Sequence, residues 1–252
     1  MKHLVRNMAP LIWAAVLATS WQGCGEESAT SSAGNDAVAP ETTGSVVTAN
    51  TPVTITQAPA AALFLDQDQV DDILDDLGSY FTAQNQGDWD AILDFYPLHR
   101  SPMDSTTRAT TIEGMNTWWE KGLRNQTELA DLLYASTPYR DDDQDVVLLN
   151  LDLVHRVIFI DFEGNPSGMK GMVESNYGKG NAQFFSEEGD PKVEYWEVRG
   201  DNRLWAVKEV GSDHWCFLPA NFNERGGGQF MTVDAMTTLL RHRSENDPNR
   251  LR

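Results

Sequence analysis

The segment "VVLLNLDLVHRVIFIDFEG", which begins at Val146, restricts the fold more than any other part of the chain. Its residues are apolar at both odd and even positions and often β-branched, a pattern typical of a strand buried on both faces. The segment therefore predicts one long or bent strand, or two strands joined near His155 and Arg156.

Helical periodicity precedes this segment. Asp66 and Gln69 have the spacing of a capping box, and apolar residues follow at intervals of three and four. Gly87 and Asp88 predict the end of this helix and the cap of a second, shorter helix, which Pro97 stops. The apolar positions of the first helix are Val70, Ile73, Leu74, Leu77, Tyr80 and Phe81.

A third helix is expected to begin near residue 111, after a polar loop over residues 99–110. Residues 126–136 form a run too short for periodicity to distinguish a helix from a strand. The inner side of the third helix is predicted to contain Ile112, Met115, Trp118, Trp119 and Leu123.

Strand signals dominate the second half of the chain. Residues 170–177 and 181–185 are predicted to be strands, and three further strand-like runs follow: "KVEYWEVR", "RLWAVKEV" and "HWCFLPAN". Residues 200–202 and 211–213 separate these runs, and their Gly, Asp, Asn and Ser content predicts the turns of an antiparallel meander. A last helix is expected over residues 233–242. Helices gathered before strands indicate an α+β fold.

The amino terminus has the pattern of an export signal. Lys2, His3 and Arg6 precede an apolar stretch over residues 8–18, which is too short for a comfortable membrane span. "WQGC" then resembles the lipobox of bacterial lipoproteins, so residues 1–23 are predicted to be removed and Cys24 to carry lipid. The alternative is cleavage after Ser20, which would give a soluble secreted or periplasmic protein.

Residues 24–62 consist mainly of Ser, Thr, Ala and Pro and lack aromatic and basic side chains. Such a composition cannot bury enough surface to fold, so a disordered tether is predicted between the anchor and a single domain over residues 63–245. Cys216 lies in an apolar run and is expected to be a core residue rather than a nucleophile. From the lipobox pattern and the tether we expect a lipid-anchored protein of the bacterial cell envelope.

Charge excludes one class of partner. The formal net charge is -19, and an acidic chain of this kind repels phosphate backbones, so no nucleic-acid partner is predicted.

The five histidines form no close metal-ligand pair, and the chain contains no phosphate loop and no dinucleotide fingerprint. No metal site and no cofactor are therefore predicted.

Three segments together point to one family: "YFTAQNQGDWDAILDFYP", "HRVIFIDFEG" and "HWCFLP". They resemble segments of the nuclear-transport-factor-2-like proteins, which include polyketide-cyclase-like and ketosteroid-isomerase-like members, and the resemblance covers about residues 64–222. It implies a strongly curved, cone-shaped antiparallel sheet wrapped around the first helix, with N-terminal helices packed on it and a cavity inside. It also implies that sheets of two copies pair face to face in a homodimer.

Enzymes of that family place an ionisable side chain inside the apolar cone, where burial shifts its pKa. His155 shares strand parity with the apolar residues around it, and Asp161 lies six residues further on the same nominal face. These two residues are the catalytic candidates. The residues predicted to line the cavity are Tyr80, Trp89, Trp118, Trp119, Phe159, Tyr195, Trp196, Trp205 and Trp215.

These observations predict an exported, lipid-anchored accessory module. It would hold a small apolar ligand in the cone or dock a protein partner. The alternative is a small lyase or isomerase that uses His155 or Asp161 as its acid or base. A purely structural, dimerising domain is the third hypothesis.

Overall fold

The computed structural model describes residues 53–97, 102–177, 180–219 and 230–249, without the side chains of residues 175–177. The predicted signal peptide, Cys24 and the tether up to residue 52 lie outside these residues. None of the described helices is both long and apolar enough to cross a membrane.

One strand and three helices begin the described chain, and long strands dominate thereafter. A 3-10 turn over Pro166–Met169 runs directly into the helix that begins at Lys170. The elements are β1 (Ile55–Leu63), α1 (Gln67–Gln86), α2 (Trp89–Asp94), α3 (Ser105–Glu120), β2 (Leu123–Ala135), β3 (Tyr139–Asp141), β4 (Gln144–Ile160), α4 (Lys170–Tyr177), β5 (Ala182–Glu187), β6 (Val193–Glu209), β7 (Cys216–Pro219) and α5 (Val233–Asn246).

The described strands form one sheet with the order β1-β2-β4-β6-β5, while β3 pairs with β4 and β7 with β6. All pairs are antiparallel except β1 with β2. The pairing of β2 with β4 shifts register after Thr127 and again after Leu132, and such bulges bend a strand and increase its twist. The sheet is accordingly strongly curled into a half-barrel, so the predicted α+β class and curved, antiparallel-rich sheet are confirmed.

Helix α1 covers one face of the sheet, and α5 covers part of the opposite face. The side chain of Asn85 on α1 contacts Thr127 on β2, whereas Asn150 on β4 contacts Asp247 just beyond α5. Because successive residues of a strand face opposite sides, odd-numbered β4 residues point toward α1 and even-numbered ones away from it. This double cover explains why β4 is apolar at both parities.

The junction between α1 and α2 has the predicted caps. Asp66 and Gln69 form a complete capping box at the start of α1, and Gly87 ends it in the left-handed conformation at φ 69°. Asp88 then accepts a hydrogen bond from the Ala91 N–H and caps α2. Gly87 is also required by packing, since a Cβ there would press on the ring of Trp119.

Helix α3 begins earlier than predicted. Asp104, not a residue near 111, caps it by accepting a hydrogen bond from the Thr107 N–H. Arg108 holds this polar first turn in place because its guanidinium pairs with Asp90 and Asp94 of α2. Asp104 is of a residue type favoured at N-caps, so the sequence contains a local signal for the earlier start, and the ion pairs of Arg108 with α2 add to it.

Two predictions about the strands are wrong. Residues 170–177 form the helix α4 rather than a strand, with Val173 buried and Lys170 paired with Glu174 one turn on. Residues 200–202 make no turn, because β6 continues through Gly200 and pairs with β4 along its whole length. The equally long partner strand decides this, and no local signal reports it. The ambiguous residues 126–136 lie in β2, except for the last of them.

The predicted tether extends too far. Its last residues form the edge strand β1, which pairs in parallel with β2, and the alternating Val53 and Ile55 are buried. An edge strand needs only backbone hydrogen bonds on one side and a few apolar contacts, so a composition poor in aromatic residues suffices. At the other end, Asp247 is buried beyond the predicted domain limit of residue 245.

Gly122 joins α3 to β2 at φ 90°, and a Cβ at this position would overlap the carbonyl oxygen of Ile160. We expect Gly122→Ala to reduce the free energy of unfolding by at least about 2 kcal/mol. Gly114 lies within α3 with open space around it, so Gly114→Ala is the matched control and should stabilise the protein by up to about 1 kcal/mol. Urea denaturation measures both values, and equal stabilities of the two variants would contradict the described junction.

Candidate functional site

A polar cluster crosses the core between α1 and the face of the sheet that α1 covers. The Asn85 side chain donates to the Thr127 carbonyl at 2.9 Å and accepts from the Thr127 N–H at 2.8 Å. Thr127 Oγ1 lies 3.1 Å from Nδ1 of His155, its cross-strand neighbour on β4. His155 is therefore buried in the interior, and α1 and β2 provide the groups that orient it.

The cavity beside His155 is small. Its volume is about 30 Å³, which is enough for one or two water molecules and far below the several hundred Å³ of a typical ligand pocket. The Oε1 atom of Gln84 is buried there without a hydrogen-bond partner among the described residues, which is the environment of a bound water. The lining residues are Tyr80, Phe81, Gln84, His155, Asn202, Leu204 and Pro219.

Burial controls the protonation of this cluster. It lowers the pKa of His155 to about 4, so the imidazole is neutral at neutral pH. Burial also raises the pKa of Tyr80 to about 12, against the smaller opposite effect of its hydrogen bond with Tyr96. The interior thus holds neutral hydrogen-bonding groups.

Most residues predicted to line a cavity fill the core instead. Of the predicted set, Tyr80 alone borders the His155 cavity. Trp119 is half-buried and makes an edge contact with Trp89. Tyr195 lies opposite Ile158 in the register and therefore on the other face of the sheet from His155. The members that are buried in the main core are Trp89, Phe159, Trp196, Trp205 and Trp215.

Asp161 does not accompany His155. It follows the last residue of β4, is exposed, and has φ 46°, so the chain leaves the strand before the predicted alternation reaches it. Its carboxylate accepts a hydrogen bond from the Lys192 N–H at 2.8 Å. Six residues of strand separate the two groups by about 20 Å. The prediction that both point into one cavity is therefore wrong.

A larger cleft lies where Asp161 is found, at the end of the sheet. Two chain segments meet there: the last turn of α3, which Gly122 connects to β2, and the residues that follow β4. The Ile160 N–H donates to the Gly122 carbonyl at 2.9 Å and holds the segments together. The cleft between them has a volume of about 580 Å³ and is lined by Trp118, Glu120, Lys121, Gly122, Arg124, Ile160, Asp161, Phe162 and Glu163.

Two half-buried aromatic rings and two cations give this cleft its chemistry. Trp118 and Phe162 are both half-buried, and Phe162 packs on Phe159 of the core at 5.1 Å between ring centroids. The Lys121 ammonium lies 4.9 Å from the centre of the Trp118 ring, and the Arg124 guanidinium lies 3.9 Å from that of Trp119.

The sequence prediction includes Trp118 but omits the two cations and Phe162. The signal that announces them is the short run "WWEKGLR", residues 118–124, in which aromatic and basic residues flank a glycine. Among the described residues no three His, Cys, Asp or Glu side chains lie close enough together to hold a metal ion. The side chains of the cleft suit an organic ligand.

The chain was compared with protein-family models, with curated proteins and with solved structures. No match is found in any of the three comparisons. The resemblance to nuclear-transport-factor-2-like proteins therefore stays a prediction.

The buried, neutral state of His155 makes stability depend on pH. The pKa is about 4 in the folded protein and 6.5 ordinarily, so on acidification the unfolded chain binds the proton first. His155 thus lowers the stability as pH falls from 6.5 toward 4. We expect the wild type to lose about 3 kcal/mol more than His155→Gln between about pH 8 and about pH 4.

Urea denaturation of both proteins across this pH range measures the difference. Other titrating groups contribute equally to the two proteins, so the comparison isolates His155. Parallel pH profiles would show that the imidazole is not buried in its neutral form.

Proposed function

We propose that this protein is a small-ligand-binding accessory module of the bacterial cell envelope, and that its ligand occupies the cleft between Trp118 and Phe162. The observation that carries the proposal is a half-open cleft of about 580 Å³ with these two half-buried rings in its lining. Binding sites for small molecules usually have volumes of this order and combine apolar surface with a few polar groups.

The filled interior supports a site at the end of the sheet. Large side chains occupy the space that the cone interpretation assigns to a ligand, and what is left beside His155 is about 30 Å³. A cone-shaped member of the nuclear-transport-factor-2-like family remains our proposal for the fold. In this protein the cone would be a scaffold, and its edge would bind the ligand.

Another depression, of about 560 Å³, lies between β1, α1 and α2. Among the described residues, Phe95 is the one aromatic side chain in the lining of this depression. The depression lies beside Val53, the first residue that the structure describes. The cleft offers a ligand two rings and two cations, so it supports the proposal better.

The other predictions of function are less supported by the geometry. A lyase or isomerase would use either His155, beside a cavity of about 30 Å³, or Asp161, which is exposed in the lining of the cleft. A homodimer would need an exposed apolar sheet face, but Ile158, Val193 and Tyr195, which cluster on the face opposite α1, are already buried. Neither the filled cavity nor this small cluster favours these functions over ligand binding.

The neutral fluorescent probe N-phenylnaphthylamine tests the binding site. We expect it to bind the purified protein saturably, and Trp118→Ala and Phe162→Ala to weaken binding about tenfold each through loss of apolar contact. Phe185→Ala is the matched control, since Phe185 is a half-buried ring stacked on Tyr195 outside the cleft. Fluorescence titration measures the affinities, and an equal loss in all three variants, or no saturable binding, would refute the proposal.

Lipid anchoring is tested separately at Cys24. In a bacterial host we expect the wild type in the membrane fraction and Cys24→Ala in the soluble envelope fraction, because the variant has no thiol to acylate. Cys216→Ala keeps Cys24 and is the control. Immunoblots of separated fractions measure the distribution, and continued membrane association of Cys24→Ala would contradict the lipobox interpretation.

A further inference from the structure

Arg124 has an unusual position in the cleft. It is half-buried at the start of β2, and its guanidinium stacks on Trp119. Its Nη1 donates to the carbonyls of Trp119 and Leu123. These bonds fix the guanidinium where α3 ends, and they use one of its three nitrogens.

Arg124 also lacks a counter-charge among the described residues. The three other half-buried arginines among the described residues all pair with carboxylates: Arg108 with Asp90, Arg156 with Glu197 and Arg243 with Asp247. Burial lowers the pKa of Arg124 because removing the cation from water is unfavourable. An anion that reached this cation would restore the missing interaction in surroundings that screen it weakly.

Lys121 adds a second positive charge beside Arg124. It is exposed, lies over the Trp118 ring, and has no carboxylate within ion-pair distance in the described residues. The cleft also contains Glu120, Asp161 and Glu163, but all three are exposed. Solvent and salt weaken the effect of these exposed charges, that of Lys121 included, far more than that of half-buried Arg124. Arg124 therefore provides the main attraction for an anion.

We propose that the ligand of this cleft is an organic anion, whose carboxylate or sulfonate group binds Arg124 and Lys121 and whose apolar or aromatic body lies against Trp118 and Phe162. This inference rests on the proposed function and adds the chemical class of the ligand. A planar guanidinium suits a two-oxygen anionic group. The two rings suit a body that is apolar rather than a second charged group.

A matched pair of fluorescent probes tests the class. Anilinonaphthalene sulfonate is an aromatic anion, and N-phenylnaphthylamine has the same ring system without the sulfonate. We expect the wild type to bind the sulfonate at least about tenfold more tightly than the neutral probe. Added salt should weaken binding of the sulfonate and leave the neutral probe unaffected.

Charge-removing variants locate the interaction. We expect Arg124→Gln to weaken sulfonate binding about tenfold and Lys121→Gln about threefold, with the neutral probe changed less than about twofold. Arg140→Gln is the control, because it removes one exposed charge from β3, which pairs with the opposite end of β4. This control should change neither affinity.

The outcomes separate the two proposals. If neither probe binds in a manner dependent on Trp118 and Phe162, the proposed function is refuted. If both probes bind there and Arg124→Gln leaves their affinity ratio unchanged, the proposed function stands and the anionic ligand is refuted. Circular dichroism establishes whether Arg124→Gln folds. If it does not, Lys121→Gln decides, and an unchanged preference for the sulfonate would overturn the inference.

Discussion

The antiparallel pairing of β4 with β6 is the constraint on which the rest of this structure depends. The two strands pair without a break from Gln144 opposite Glu209 to Ile160 opposite Val193. All other strands except β1 attach directly to one of these two, and β1 attaches through β2. Both faces of this long ladder are covered, one by α1 and part of the other by α5. The core therefore lies on both sides of the ladder.

The same ladder separates the two polar sites. His155 lies within it, where neighbouring strands and α1 exclude all but one or two waters from the cavity. The cleft lies at its end, where Gly122 and Asp161 turn the chain with positive φ values and leave space between α3 and the residues after β4. Dense packing at the centre and chain reversals at the edge thus favour the edge as the place for a ligand.

Electrostatics distinguishes the cleft from the remaining surface. The chain carries a net charge of -19, and most half-buried cations among the described residues are paired with carboxylates. Arg124 instead bonds backbone carbonyls at the end of α3 and stacks on Trp119. In an acidic protein, a cation without a carboxylate partner in the described part of the chain is a position at which an anion would meet less repulsion than elsewhere, which is the basis of the proposed anionic ligand.

Local signals in the sequence determined the parts of the fold that depend on neighbouring residues. The sequence alone predicts the capping box at Asp66, the Gly87–Asp88 junction and the apolar pattern on both faces of β4. It also predicts the α+β class. Tertiary structure decided what depends on distant partners. Strand β6 continues through Gly200 because β4 pairs with it. The inward direction of His155 follows from strand parity, but the small size of its cavity does not. The cleft joins residues 118–124 to residues 160–163, and only the folded sheet brings these two segments together.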